Sequence, residues 1–183
     1  MTTRRGVAAV LAAFALAACS AATQTQGAGQ PRAFSQPIYD SQGQAVGLLT
    51  LTAVGRDSTR VTVEATQLPA GTHGTHLHTT GRCDAPAFTT AGGHLNPANR
   101  QHGLRNPNGP HLGDLPNLVV GANGMGRLEA VVAGSTRPGQ APLFDADGTA
   151  LVIHATADDM VTDPAGNSGA RIACSVIAAP ATP

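Results

Sequence analysis

Seven histidines in a chain of 183 residues all fall between His73 and His154. His76-Leu77-His78 is the tightest pair. On a strand, residues two apart point to the same face, so both imidazoles can reach one ion. His73 is out of phase with them and reads as a hydrogen-bonded structural residue facing the other way. Downstream, His94, His102, His111 and Asp114 follow one another at spacings of 8, 9 and 3. Three ring nitrogens and one carboxylate satisfy tetrahedral zinc, a borderline ion that accepts a hard oxygen beside nitrogen. Such spacings suit a long wrapping loop rather than a zinc finger, and a bound metal would order that loop by coupling binding to folding. His154 ends a buried-looking apolar run. An uncharged core histidine is its default reading; a third ligand beside His76 and His78 is the other.

Short strands and turns must position these residues. Ala45–Val54 and Arg60–Ala65 are rich in β-branched residues, the second alternating with period two, and Gly55-Arg56-Asp57-Ser58 turns between them. Leu118–Val120 and Arg127–Val132 flank Gly121-Ala122-Asn123-Gly124, a hairpin signature. Ala150–His154 and Arg171–Ile177 are further apolar runs. With seven or eight short strands and no amphipathic helix of ten residues, the fold class is all-β, an antiparallel sandwich or barrel. About 35 residues from Thr80 to Pro116 and about 16 from Ala155 to Ala170 lack either pattern. Loops of that length in a compact domain are usually functional, disordered or misassigned.

Composition narrows the function classes. Charged residues make up 12% of the chain, about half the usual share, and apolar residues 42%, which excludes charge-driven disorder. The 22 glycines and 13 prolines fit many turns and long loops. With four phenylalanines, one tyrosine and no tryptophan, the core must rest on Val, Leu, Ile and Ala. Eleven arginines, no lysine and eleven acids sum to zero charge, which argues against a nucleic-acid binder.

The N-terminus reads as a targeting segment. Arg4 and Arg5 precede an unbroken apolar run from Gly6 to Ala18, too short for a membrane span and suited to a secretory signal peptide over residues 1–18. Leu16-Ala17-Ala18-Cys19 resembles the lipobox of bacterial lipoproteins, which implies cleavage before Cys19 and lipidation of its thiol; secretion without lipid is the alternative. Residues 19–32 form a polar, small-residue tether, and the folded domain covers 33–183. Without residues 1–18 the chain keeps nine arginines against eleven acids, a charge of −2. Cys83 and Cys174 remain, and in an exported protein an even remainder suggests one disulfide, with two buried free thiols as the alternative.

Over residues 34–178 the chain resembles copper/zinc superoxide dismutases. The matching stretches are Gly71-Thr-His-Gly-Thr-His-Leu-His78, Ala91-Gly-Gly-His-Leu-Asn-Pro97, His111-Leu-Gly-Asp-Leu-Pro116, Val152-Ile-His-Ala-Thr-Ala-Asp-Asp159 and Gly166-Asn-Ser-Gly-Ala-Arg-Ile-Ala-Cys-Ser-Val-Ile177. The resemblance implies an eight-stranded Greek-key sandwich, immunoglobulin-like, with two long functional loops. It implies copper on His76, His78, His94 and His154, and zinc on His94, His102, His111 and Asp114, with His94 shared between the metals. It further implies that Asp158 links a copper histidine to a zinc histidine, that Arg171 draws in superoxide beside the copper, and that Cys83 and Cys174 form the disulfide. The implied activity converts two superoxide anions and two protons into dioxygen and peroxide, protecting the cell envelope. The implied setting is an exported protein, anchored by its lipid to a membrane on the periplasmic or extracellular side. Monomer and homodimer both stay open.

Some positions depart from the family. Thr75 stands where an aromatic residue is usual, and Ala165 where many relatives carry threonine. The 155–170 loop carries Asp158, Asp159 and Asp163 with no lysine or glutamate, which leaves Arg171 as its only positive charge, so steering of superoxide is expected to be weaker than in basic-rimmed relatives. Two other functions compete. A non-catalytic metal-binding or delivery module on the same fold would be expected to lose some ligands or Arg171. A zinc hydrolase would need a glutamate base, and only Glu64 and Glu129 exist.

Overall fold

The computed structural model describes residues 33–134 and 142–178. The expected signal segment, Cys19 and the expected tether of residues 19–32 lie outside that range.

Nine strands form one antiparallel sheet: β1 (Ala33–Asp40), β2 (Ala45–Val54), β3 (Ser58–Ala65), β4 (Gly71–His73), β5 (Thr75–His78), β6 (Leu118–Val120), β7 (Gly126–Ala133), β8 (Thr149–His154) and β9 (Arg171–Ile177). Their spatial order is β4-β6-β7-β3-β2-β1-β9-β8-β5. The crossings from β3 to β4 and from β7 to β8 separate sequence neighbours, as an antiparallel sandwich requires. The count is nine rather than the expected eight because Gly74 divides one segment between the two ends of the sheet. His73 pairs with Leu118 of β6, whereas Thr75 pairs with Ile153 of β8. The covalent link between β4 and β5 therefore closes the sheet into a barrel.

Alternation builds the core. On β3, Val61, Val63 and Ala65 point inward, while Arg60 faces solvent. They meet Leu49, Leu51, Leu128 and Val132 from neighbouring strands and Leu151 and Ile153 from β8. Phe34 packs edge-on to Phe144 with ring centroids 5.4 Å apart. A smaller cluster of Phe88, Ala91, Ala150, Val152 and Cys174 lies under the first loop.

The sequence pattern gives no strand before Ala45, yet β1 forms. Only Ile38 of that strand is fully buried, and Pro37 interrupts it. The proline is tolerated because β9 meets β1 only at Tyr39 and Asp40, so one flank upstream has no ladder partner.

The two expected loops are present. The first contains one short 3-10 turn, η1 (Thr89–Ala91). It then runs back along β5. Leu77 N donates to Gly113 O over 2.8 Å, and Leu95 N donates to Leu77 O over 2.8 Å. Position 113 must be glycine for this approach, since a Cβ there would lie 2.2 Å from Leu77 O. The strapping brings His94 beside His78 and Asp114 beside His76 as isolated bridges.

Candidate metal centre

β5 carries His76 and His78, β8 ends in His154, and the strapped loop supplies His94. All four are buried or nearly so, His94 keeping 9% exposure. Each ring has one nitrogen fixed by a hydrogen bond. His76 Nε2 donates to Asp158 Oδ2 over 2.8 Å. His78 Nδ1 donates to Gly92 O over 3.0 Å, and His154 Nδ1 to Gly169 O over 3.2 Å. His94 Nδ1 lies 3.0 Å from Asp114 Oδ1. The opposite nitrogens, His76 Nδ1, His78 Nε2, His94 Nε2 and His154 Nε2, are buried without any partner. They account for four of the six such side-chain atoms among the described residues.

Buried polar atoms are rarely left unpaired, so four converging lone pairs are the signature of a cation site. Ligand atoms of these four residues lie within 4.8 Å of one another. Fixing the far nitrogen sets the tautomer and aims the free lone pair.

A second cluster shares His94. His94 Nδ1, His102 Nδ1 and His111 Nδ1 lie 3.0, 2.9 and 3.4 Å from Asp114 Oδ1. His111 Nδ1 is 3.5 Å from His94 Nδ1. Asp114 Oδ2 faces away and accepts from Gly103 N at 2.8 Å and His111 N at 2.9 Å. His76 also falls within 4.8 Å of His94, His102 and Asp114, but Asp158 already engages its Nε2. His111 is the better fourth member of this cluster, and its own Nε2 donates to Arg100 O over 3.1 Å.

Burial and hydrogen bonding tune these groups. Desolvation lowers His78 to about 2, opposed by its bond to Gly92. Desolvation lowers His154 to about 3 and His94 to about 4, the latter opposed by Asp114. Burial disfavours the Asp114 carboxylate, yet hydrogen bonds from His94, Gly103 and His111 outweigh it and hold the group well below the usual carboxylate range. Neutral imidazoles and an ionised carboxylate are the forms that bind metal. Asp158 spans the clusters, since its Oδ1 accepts from His102 Nε2 over 3.0 Å while Oδ2 holds His76.

His73 is apart from both clusters. Its Nδ1 lies 2.8 Å from His154 O and its Nε2 2.9 Å from Pro69 O, a clamp between β4 and β8. Thr75, at the unusual position, is fully buried and bonds His73 O.

A cavity of about 410 Å³ opens over the first cluster, lined in part by His78, His94, His154, Arg100, Asp163 and Arg171. Arg171 Nη1 and Nη2 donate to Phe88 O and Gly92 O over 2.7 and 2.6 Å. Cys83 and Cys174 are joined as a disulfide.

The three acids of the second loop are placed differently. Asp158 faces the histidines, and Asp159 caps its own loop through Val161 N, Thr162 N and Asn167 Nδ2. Only Asp163 lines the cavity, and Arg100 joins Arg171 there. Arg100, Asn117 and Gly92 escaped the sequence reading, for their roles depend on backbone contacts that no spacing announces. Glu64 and Glu129 are bound to Arg127 on the exposed side of β3 and β7, far from a hydrolase base's place.

Residues 45–177 match the copper/zinc superoxide dismutase (SODC) family. The superoxide dismutase-like protein YojM of Bacillus subtilis (strain 168) is 39% identical, over 76% of this chain and 73% of its own. Superoxide dismutase [Cu-Zn] 1 of Aquifex aeolicus (strain VF5) is 40% identical, over 76% of this chain and 84% of its own. Among solved structures, a double mutant of a SOD-like protein from Bacillus subtilis superposes with TM-score 0.71 at 38% identity, covering 79% of this chain and 97% of that one. In that mutant a tyrosine and a proline are changed to histidine. The Cu/Zn superoxide dismutase of Brucella abortus gives 0.61 at 26% identity, covering 80% and 99%. With matching metal-type clusters, fold and sequence, the chain belongs to the copper/zinc superoxide dismutase family.

Proposed function

We infer that the protein is an oxidoreductase that dismutates superoxide, with copper held by His76, His78, His94 and His154. Zinc is held by His94, His102, His111 and Asp114. The observation that carries this reading is the set of four buried, unpartnered ring nitrogens opening onto a cavity with Arg171.

Bound copper would accept an electron from one superoxide and give one to a second, while zinc would stabilise the wrapping loop. The residues supply the rest. Arg171, fixed by two carbonyls, presents its guanidinium to a small anion entering the cavity. His94 Nε2 is placed to hold and return a proton, because its Nδ1 faces the second cluster. Burial keeps His78, His94 and His154 neutral and ready to bind metal. The complete ligand set and Arg171 favour an enzyme over a delivery module.

Loading the full chain with copper and zinc and following superoxide decay tests this. His76→Ala is expected to lose copper and nearly all activity. Activity that persists without bound copper would sink the reading.

The N-terminal sequence supports export with residues 1–18 removed, lipid on Cys19, a tether to residue 32 and a catalytic domain from 33 onward, working in the cell envelope. Cys19→Ala is expected to move the protein from the membrane to the soluble fraction and to abolish labelling by a fatty-acid analogue. Unchanged labelling would exclude lipidation at Cys19.

A further inference from the structure

We propose that Gly166 is a positioning residue for the paired metal site, because its bare Cα is what lets the Asp158 carboxylate reach His76 and His102 together. The proposal rests on the metal assignment above.

Gly166 is buried in the second loop with φ +61°. A Cβ at this position would lie 1.8 Å from Asp158 Oδ1, 2.5 Å from Asp158 Cγ and 2.7 Å from His102 Nε2. It would fall on the hydrogen bond between Asp158 and His102. Neither partner has room to retreat. Gly166 N donates to Thr162 O over 2.7 Å, and Gly166 O accepts from Asp159 N over 2.9 Å. The Asp158 backbone is pinned by Asn117, whose Nδ2 donates to Asp158 O and whose Oδ1 accepts from Asp158 N, each at 2.9 Å. Asp158 Oδ1 also accepts from Met160 N over 2.6 Å. A side chain at 166 must therefore displace the carboxylate, which is the group that orients one ring of each metal cluster.

Backbone strain and this displacement can be separated. Gly55 also has positive φ, +71°, but nothing lies within 4 Å of a Cβ placed there. Gly55→Ala thus reports strain alone, and Gly166→Ala reports strain plus loss of the Asp158 bridge. Removing the carboxylate in Asp158→Ala takes away the two nearest atoms that the new Cβ would strike and leaves only His102 Nε2, at 2.7 Å, no longer tied to position 158.

The test compares Gly166→Ala, Gly55→Ala, Asp158→Ala and the Asp158→Ala/Gly166→Ala double variant in the full chain. Zinc affinity is read by competition with a chromogenic chelator. Cobalt(II) absorption reports the geometry of the zinc ligands. Gly166→Ala is expected to weaken zinc about tenfold, the lower end for loss of a partner that orients a metal ligand. Its cobalt spectrum is expected to match that of Asp158→Ala. Gly55→Ala should stay within about twofold of the parent, and adding Gly166→Ala to Asp158→Ala should change zinc affinity by less than about twofold, since coupled sites are not additive. Parent-like affinity in Gly166→Ala, or the same tenfold loss in the Asp158→Ala background, would overturn the proposal. If Gly166→Ala does not fold, the double variant must fold for the proposal to stand. A parent protein that fails to hold zinc would instead overturn the metal assignment, and the proposal with it.

Discussion

His78 and Arg171 are held by one atom. The Gly92 carbonyl oxygen accepts from His78 Nδ1 over 3.0 Å and from Arg171 Nη2 over 2.6 Å. The aim of a ring in the proposed copper site and the aim of the anion-facing cation are thus set by the same turn, which η1 and the positive-φ Gly92 (φ +78°) create.

Arg171→Lys separates charge from geometry. Lysine keeps the positive charge but lacks the planar fork that spans Phe88 O and Gly92 O. Copper content is expected to be unchanged, because His78 keeps its own bond to Gly92. The value of kcat/KM should fall by less than about tenfold, the lower end of what a charged cleft contributes to association, because the charge is kept and only its aim is lost. Pulse radiolysis with metal analysis of the same sample checks this. Loss of copper in step with activity would place Arg171 in metal retention instead.

Acid should destabilise the metal-free protein well before the carboxylates titrate. Desolvation holds His78, His154 and His94 near 2, 3 and 4, whereas unfolded histidines titrate near 6.5. Between those values the unfolded chain binds more protons, so stability rises with pH and falls on acidification from about 6.5. Each histidine that stays neutral in the fold contributes about 1.4 kcal/mol per pH unit. Chemical denaturation at pH 7.5, 6 and 5 measures the slope. A midpoint that stays level from pH 7.5 to 5 would contradict the burial of these rings.

Much of the site was legible in the sequence because its chemistry is carried by rare residue types at fixed spacing. The His76/His78 pair on a strand, and three histidines with Asp114 on a loop, can be read from periodicity and ligand preference. The resemblance then implied His94 as the shared ring and Asp158 as the link. Other features were hidden because they depend on backbone groups. Gly92 O, Asn117 and Gly166 act through carbonyls, amides and the absence of a side chain. The strand β1 was obscured by Pro37 and by having one fully buried residue, and the ninth strand by the split at Gly74. Charge counting alone does not tell which acids of the second loop reach the cavity, since Asp158 is buried against the histidines and Asp159 caps its own loop.

Steering should respond to Asp163. It is the one acid of that loop lining the cavity, facing a space that Arg100 and Arg171 also line. Its Oδ1 accepts from His102 N over 2.6 Å, and its side chain is 51% exposed. Asp163→Asn keeps an oxygen for His102 and removes one negative charge. The expected result is a rise in kcat/KM of about twofold at low salt, disappearing at high salt where screening shortens the field. The parent enzyme should show a shallow salt dependence, since a cavity acid opposes its two arginines. A rise that persists at high salt would point to a geometric cause.

The disulfide should protect both fold and substrate approach, for it fixes the start of the segment that supplies both carbonyls to Arg171. Cys83 and Cys174 are 91 residues apart, with Cα atoms 5.8 Å apart. Closing so long a loop restricts the unfolded chain, stabilising the fold by about 4.6 kcal/mol on the chain-entropy model. Cys174 also packs with Phe88, Ala91, Ala150 and Val152. Replacing both cysteines with serine is expected to lower stability by about that amount and to reduce kcat/KM several-fold with metal content retained. Denaturation and pulse radiolysis on fully metallated protein separate the effects. If stability falls while kcat/KM holds, then the cluster around Phe88 alone suffices to keep Phe88 O and Gly92 O in place, and the disulfide serves the fold only.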